Sequence, residues 1–239
     1  MLSGPDIVIL LDVDNTLFDN DRFKDDLRER LLRDFGPERS AIYWKHYDAL
    51  REQLGYVDYL AALQRLRLSI DETPELKQTS DLLQMSSFLL DYPFTGNLYP
   101  GALDAISHLR TLGAPAIFSD GDIVFQPRKI QRSGLWDAVA GRVEITVHKE
   151  RSLDALRVRF PAAHYVMVDD KPQLLSAMKR IMGDDLATVF VQQGHYAAEA
   201  AGLALDPPPD RTVDCIAELC NATTDWLYAP SKAALTGAT

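Results

Sequence analysis

Five short apolar runs punctuate the chain, at 7–11, 115–118, 142–147, 165–168 and 188–191. Each has the length of a strand and draws on β-branched or aromatic residues, and helical patterns separate the later ones. That alternation predicts an α/β fold: a Rossmann-like parallel sheet with crossover helices. Gly113 stands between the helical pattern of 102–112 and the second run, where a C-capping glycine belongs. Pro161 likewise separates the helical pattern of 152–159 from the fourth run.

The interval between the first two runs is of another kind. About a hundred residues lie there, against the dozen or so that a crossover needs. Tyr43, Tyr47, Leu50 and Leu54 recur at helical spacing, followed by Leu60, Leu63 and Leu66. Thr73-Pro74-Glu75 combines a capping hydroxyl, a first-turn proline and an acid near the positive helix end, so it predicts a helix start. Leu82, Leu83, Met85, Phe88 and Leu89 predict one more helix. Residues 20–96 therefore read as an all-helical insert in a core made of 1–19 and 97–229. Pro93-Phe94-Thr95-Gly96-Asn97 is the return hinge, and 230–239, rich in Ala, Ser, Thr and Gly, is a flexible tail.

Composition narrows the functional classes. The 239 residues include 25 Lys+Arg against 35 Asp+Glu, a formal net charge of −10. Such a chain lacks the basic stripe that meets nucleic-acid phosphates or anionic lipid. No apolar run approaches the roughly 18 residues of a membrane span, and no basic segment precedes the first apolar run as in a secretory signal. Cys215 and Cys220 form neither a CxxC site nor a disulfide framework. The expectation is a cytoplasmic protein with reduced thiols, bound to neither nucleic acid nor membrane.

Four predicted strand ends carry polar residues that a parallel sheet does not need. The first is Asp12-Val13-Asp14-Asn15-Thr16-Leu17-Phe18-Asp19, in which Asp12 and Asp14, two apart in an extended segment, point the same way. Ser119-Asp120-Gly121 follows the second run, Lys149 the third, and Asp169-Asp170 the fourth. Ligands of open α/β sheets bind outside the carboxyl ends of the strands, so all four groups share one crevice. Clustered carboxylates repel one another unless a cation separates them, and Mg²⁺ prefers a few carboxylates together with phosphate oxygens. Acids for a metal, a hydroxyl and an ammonium for phosphate, and a spare carboxylate as nucleophile suit phosphoryl transfer.

In these motifs the chain resembles the haloacid dehalogenase (HAD) superfamily. The DxD pair with Thr16 and Leu17, then Ser119, Lys149 and Asp169-Asp170, stand in that family's order. Leu98-Tyr99-Pro100-Gly101-Ala102 and Gly134-Leu135-Trp136-Asp137 are similar to it too, and the resemblance runs from Asp6 to about Leu219. It implies that the insert is a type I (C1) helical cap that closes over the site and helps to select substrate. It implies Asp12 as the nucleophile forming an aspartyl-phosphate and Asp14 as the general acid/base. Ser119 would hold the transferring phosphoryl group and Lys149 would neutralise charge. Mg²⁺ would be held by Asp169 and Asp170 with Asp12 and the backbone carbonyl of Val13, and Asp14 belongs to the same cluster of carboxylates. Dehalogenases of this family generally lack an acid at the second position of the pair, so Asp14 points to hydrolysis of a small phosphorylated metabolite. Phosphomutase and phosphonate-cleaving chemistry fit the same residues. The distant alternative is a non-catalytic phospho-accepting or binding module, although a receiver's acidic pair follows its first strand and it has no room for the insert.

The chain departs from the pattern in two places. Glu150-Arg151-Ser152 replaces the proline-containing run that commonly follows the lysine, which leaves Lys171 and Lys129 as rivals to Lys149. Gln173 and Leu174 stand where a further acid is usual, so Asp170 becomes the second acid of the fourth motif, directly or through water. Asp19 is expected to position its loop, Asp120 to be a neighbouring loop acid, and Tyr43, Tyr47, Leu50 and Leu54 to form the cap's own core. Trp44, Lys45, His46 and Arg51 lie on its other faces and are candidates to meet substrate, and His148 is as much a surface as a site residue. Four of the 35 acids are thereby gathered on one cation. The overall charge then does not exclude a small anion, since local charge governs within a Debye length of about 8 Å.

Overall fold

The computed structural model describes residues 6–71, 79–200 and 202–228. Six parallel strands form one sheet in the order β3-β2-β1-β4-β5-β6: β1 Ile7–Leu11, β2 Ala114–Asp120, β3 Val143–Thr146, β4 His164–Asp169, β5 Leu186–Val191 and β6 Arg211–Val213. The five predicted strands are all present. β6 is an addition: a three-residue edge strand whose Arg211 and Thr212 give no apolar run.

Every residue of β1, β4 and β5 is buried, as expected for parallel strands covered on both faces. Alternation along β1 sorts its side chains between two packings. Val8 and Leu10 join Leu156 of α7 (Leu153–Arg159) and Leu175 and Met178 of α8 (Pro172–Met182). Ile7, Ile9 and Leu11 face the other layer, with Ile106 of α4 (Ala102–Leu109), Ile130 of α5 (Phe125–Arg132) and Leu135 of the short α6 (Leu135–Ala138).

Among the described residues, three helices run between β1 and α4, α1 (Asn20–Leu54), α2 (Tyr59–Asp71) and α3 (Thr79–Asp91), then a 3-10 turn over Phe94–Asn97 at the predicted hinge. α1 is broken at Gly36, whose φ of 77° is open to glycine, followed by Pro37, which donates no backbone hydrogen bond. Of the predicted face of α3, Met85 and Leu89 are buried, whereas Leu83 is 70% exposed. The helix start expected at Thr73-Pro74-Glu75, the side chain of Leu82 and the expected tail at 230–239 lie outside the described residues.

The insert does not pack only on itself. Phe23 stacks edge-on against Tyr59 and Tyr92, with centroids at 5.2 and 4.9 Å, and meets Phe125 of α5 at 5.3 Å. Tyr43, Tyr47 and Leu50 therefore belong to one apolar cluster that runs without a break into the layer on the sheet. No helix among the described residues is long and apolar enough to cross a membrane.

Candidate active site

Strand order brings the site together. β1 lies between β2 and β4 at the point where the connections reverse direction, the place where open α/β sheets bind ligands. Asp12 follows β1, Ser119 is the penultimate residue of β2, Asp169 ends β4, and Lys149 opens a 3-10 turn beyond β3. All four side chains meet. The Lys149 ammonium, 1% exposed, donates to Asp12 Oδ1 at 2.5 Å and to Asp169 Oδ2 at 2.7 Å. Ser119 Oγ donates to Asp12 Oδ1 at 3.3 Å and accepts from Gln126 Nε2 at 2.9 Å.

The electrostatics follow from burial and pairing. Burial alone would raise the Asp12 carboxyl, but the fields of Lys149 and Lys171 outweigh it and hold the group below its ordinary value. Burial would lower the Lys149 ammonium, but Asp12 and Asp169 hold it well above. At Asp170 the fields of the same two lysines are outweighed. Burial first, then the fields of Asp169 and Asp12, push it far up. Asp120, which borders the same space, is raised by burial to about 7.

Asp12, Asp169 and Asp170 each offer a carboxylate oxygen within 4.8 Å of the others. Asp12 Oδ2 and both oxygens of Asp170 are buried and accept no hydrogen bond. Buried polar atoms are rarely left so, and three unsatisfied hard oxygens in one place are the donor set that Mg²⁺ prefers. The residues present therefore fit this ion.

Two expected ligands stand elsewhere. The Val13 carbonyl accepts from the backbone N–H groups of Thr16, Leu17 and Phe18 at 3.3, 3.0 and 2.9 Å, so its lone pairs are engaged in closing the turn. Asp14 is outside the group of three. Its carboxylate pairs with Lys129 and accepts from Gln126 Nε2 at 3.1 Å. Lys129, 1% exposed, lies beside the rings of Phe18 and Phe125 at 5.3 and 5.5 Å.

The rival lysines thus all stand at the site in different positions: Lys149 on Asp12, Lys129 on Asp14, and Lys171 on the cavity wall with its Nζ 5.0 Å from the Tyr196 ring centroid. The cavity, about 290 Å³, opens beside Asp14 between the sheet and the insert. Of the four insert residues named as substrate candidates, Arg51 borders it, while His46 is engaged with Ser69 at 2.9 Å and Trp44 packs against the apolar cluster. Asp19 caps α1 by accepting from Arg22 N at 2.9 Å. The ring of His148 fits against Gly55 at the end of α1, where a Cβ would come within 2.5 Å of it. Cys215 is exposed and Cys220 partly buried.

Sequence reasoning missed Gln126, the partnership of Lys129 with Asp14, and α9 (Gly194–Glu199). His195 Nδ1 lies 2.7 Å from Asp21 Oδ1, and its backbone N–H donates to Asp21 Oδ2 at 2.9 Å, tying α9 to the start of α1. Gly194 is fixed by its φ of 69° and by the approach of Asn15, 2.6 Å from where a Cβ would stand. The strand-end rule that singled out the other motifs applies equally after β5 and would have found His195 and Tyr196.

An all-parallel sheet in this order, with acids at its reversal point, defines a doubly wound, Rossmann-like α/β fold with an acidic site at its switch point. The model of the haloacid dehalogenase-like hydrolases matches residues 8–181, and the chain belongs to that family. It is 54% identical to a haloacid dehalogenase-like hydrolase of Burkholderia xenovorans LB400, whose crystal structure superposes with a TM-score of 0.83 over 91% of this chain and 99% of that one. It shares its fold with the magnesium-bound HAD-hydrolase YfnB of Bacillus subtilis (16% identity, TM-score 0.60, 90% and 96% covered). It shares it also with L-2-haloacid dehalogenase of Xanthobacter autotrophicus (16% identity, TM-score 0.55, 90% and 96% covered). None of the curated proteins compared matches the chain.

Proposed function

We propose that this hydrolase is a Mg²⁺-dependent phosphatase of small phosphate monoesters working through an aspartyl-phosphate, with the helical insert acting as its cap. The observation that carries this reading is Asp14: a second carboxylate, two residues from Asp12, on the cavity wall and fixed by Lys129 and Gln126. A halide leaving group needs no proton, whereas an alkoxide does.

Asp12, kept ionised by Lys149, attacks phosphorus through a carboxylate oxygen as the ester P–O bond breaks. Asp14 delivers a proton to the departing oxygen. It then takes one from a water whose oxygen attacks phosphorus, which cleaves the acyl-phosphate and returns Asp12 with inorganic phosphate. Ser119 donates to a phosphoryl oxygen and Lys149 offsets charge accumulating beside Asp12. Mg²⁺ on Asp12, Asp169 and Asp170 would supply the positive charge that lets a phosphate dianion enter this acidic corner.

A panel of metabolite phosphates tests the reading by release of inorganic phosphate. Turnover is expected with Mg²⁺, lost in EDTA and restored by Mg²⁺. Isomerised sugar phosphate without free phosphate would identify a mutase instead, and chloride release from 2-chloropropionate with no phosphatase activity would identify a dehalogenase. The ion also links to folding. At a concentration a hundredfold above its Kd it contributes about 2.7 kcal/mol, which for a chain of this size raises Tm by about 5–10 °C. Asp170→Ala should remove that shift.

Lys129→Met should separate positioning of Asp14 from its chemistry. The variant is expected to lose about tenfold to a hundredfold in kcat on alkyl phosphates, whose leaving oxygen needs the proton. On p-nitrophenyl phosphate, a good leaving group, the loss should be severalfold. Equal losses on both would show that Lys129 does not act through Asp14.

A further inference from the structure

The cavity beside Asp14 holds a positive charge that the phosphoryl chemistry leaves unused. Of the two acids on its wall, Asp14 is engaged with Lys129 while Asp120 makes no ion pair among the described residues, and nearby Asp21 is taken by His195 and, at 3.8 Å, Lys24. Arg51, in the last turn of α1, is not matched in this way. Its Nη2 donates to the Tyr196 hydroxyl at 2.6 Å, and among the described residues no carboxylate lies within 4.0 Å of it.

Contacts trace a path from the reaction centre to this guanidinium. Lys171 follows Asp170 directly, its ammonium lies against the Tyr196 ring, and the hydroxyl of that ring receives Arg51. All three side chains border the cavity. The wall also includes Tyr47 and Phe125, surface suited to a short carbon chain.

We propose that Arg51 anchors a carboxylate on the leaving-group side of the substrate, so that this enzyme acts on small phosphate esters of hydroxy acids. The inference rests on the phosphatase reading and names the substrate class of that site. A guanidinium presents a planar fork that a carboxylate meets with two parallel hydrogen bonds, and only one of its nitrogens is held by Tyr196. A cavity of about 290 Å³ is at the small end of ligand sites. It suits a phosphoryl group and a short acid, not a nucleoside or a second phosphorylated sugar. Tyr196 is the positioning residue, since its hydroxyl aims Arg51 across the gap between insert and sheet.

Two matched pairs of esters test this: 3-phosphoglycerate against glycerol 3-phosphate, and 2-phosphoglycolate against 2-hydroxyethyl phosphate. The wild-type protein is expected to favour the carboxylated member by tenfold or more in kcat/KM. Arg51→Gln should erase that preference by raising KM of the carboxylated member about tenfold to hundredfold, the effect of losing a charge-assisted pair. Tyr196→Phe should weaken the preference severalfold in the same direction. Equal efficiency within each pair, a preference that survives Arg51→Gln, or equal losses on both members would overturn the carboxylate site and leave the phosphatase reading standing. Failure to release phosphate from any of the four esters and from every other member of the wider panel would overturn both. A role for Arg51 confined to the end of α1 would lower Tm without changing the preference.

Discussion

Asp12→Asn is expected to cut Mg²⁺-dependent hydrolysis of p-nitrophenyl phosphate by at least about four orders of magnitude, as removal of a covalent nucleophile does. That is roughly 5 kcal/mol or more of lost transition-state stabilisation. The fold should survive. Asparagine keeps the shape of the side chain, Lys149 retains Asp169 as a carboxylate partner at 2.7 Å, and one negative charge leaves a crowded buried group. A steady-state assay paired with a thermal melt checks both halves of the expectation. Turnover within tenfold of wild type would remove Asp12 from the role of nucleophile.

Lys149→Met should produce the opposite balance, a large loss of stability together with loss of activity. The ammonium is fully enclosed and bridges two carboxylates. Removing one side of a buried ion pair leaves the other uncompensated, at a cost of about 3–5 kcal/mol. For a chain of this length that lowers Tm by roughly 6–20 °C. Mg²⁺ is proposed to bind the same carboxylates, so its addition should recover part of the loss, and the variant should gain more from the ion than the wild type does. Calorimetry with and without Mg²⁺ is the measurement. A Tm within 2 °C of wild type in EDTA would show that Lys149 does not neutralise this cluster.

The two variants read the same few atoms, and the sequence exposed those atoms for a simple reason. β1, β4 and β5 are buried on both faces, so they are continuous apolar runs, and a polar residue directly after such a run stands out. Asp12 and Asp169 are legible that way, as is Ser119 near the end of the mostly buried β2, whereas Lys149 stands three residues beyond the half-buried β3 and is legible from the order of the motifs instead. What stayed hidden depends on contacts made only in three dimensions. Gln126 and Lys129 lie on α5, one turn apart, and look like ordinary helix-surface residues until packing buries them against Asp14. The Val13 carbonyl was assigned to the metal because of where it stands in the motif, but the turn claims it first, a hydrogen-bonding choice that side-chain pattern does not record. β6 is short and polar, and nothing in its composition distinguishes it from a loop. The Gly36-Pro37 break lay in plain view within a stretch read as helical throughout.

The pairing of β1 has a consequence for the order in which the molecule is assembled. β1 is the first strand of the chain, yet its neighbours are β2, where Val8 pairs with Ala114, and β4, where Ile7 pairs with His164. Most of the chain must therefore be synthesised before the central strand is enclosed on both edges, and pairings so distant in sequence close slowly. Asp12 lies free beside an open strand edge until β4 docks and brings Asp169 and Asp170 against it. The proposed reactive centre is therefore completed late, because Asp12, its proposed nucleophile, is made more than 150 residues before Asp169 and Asp170.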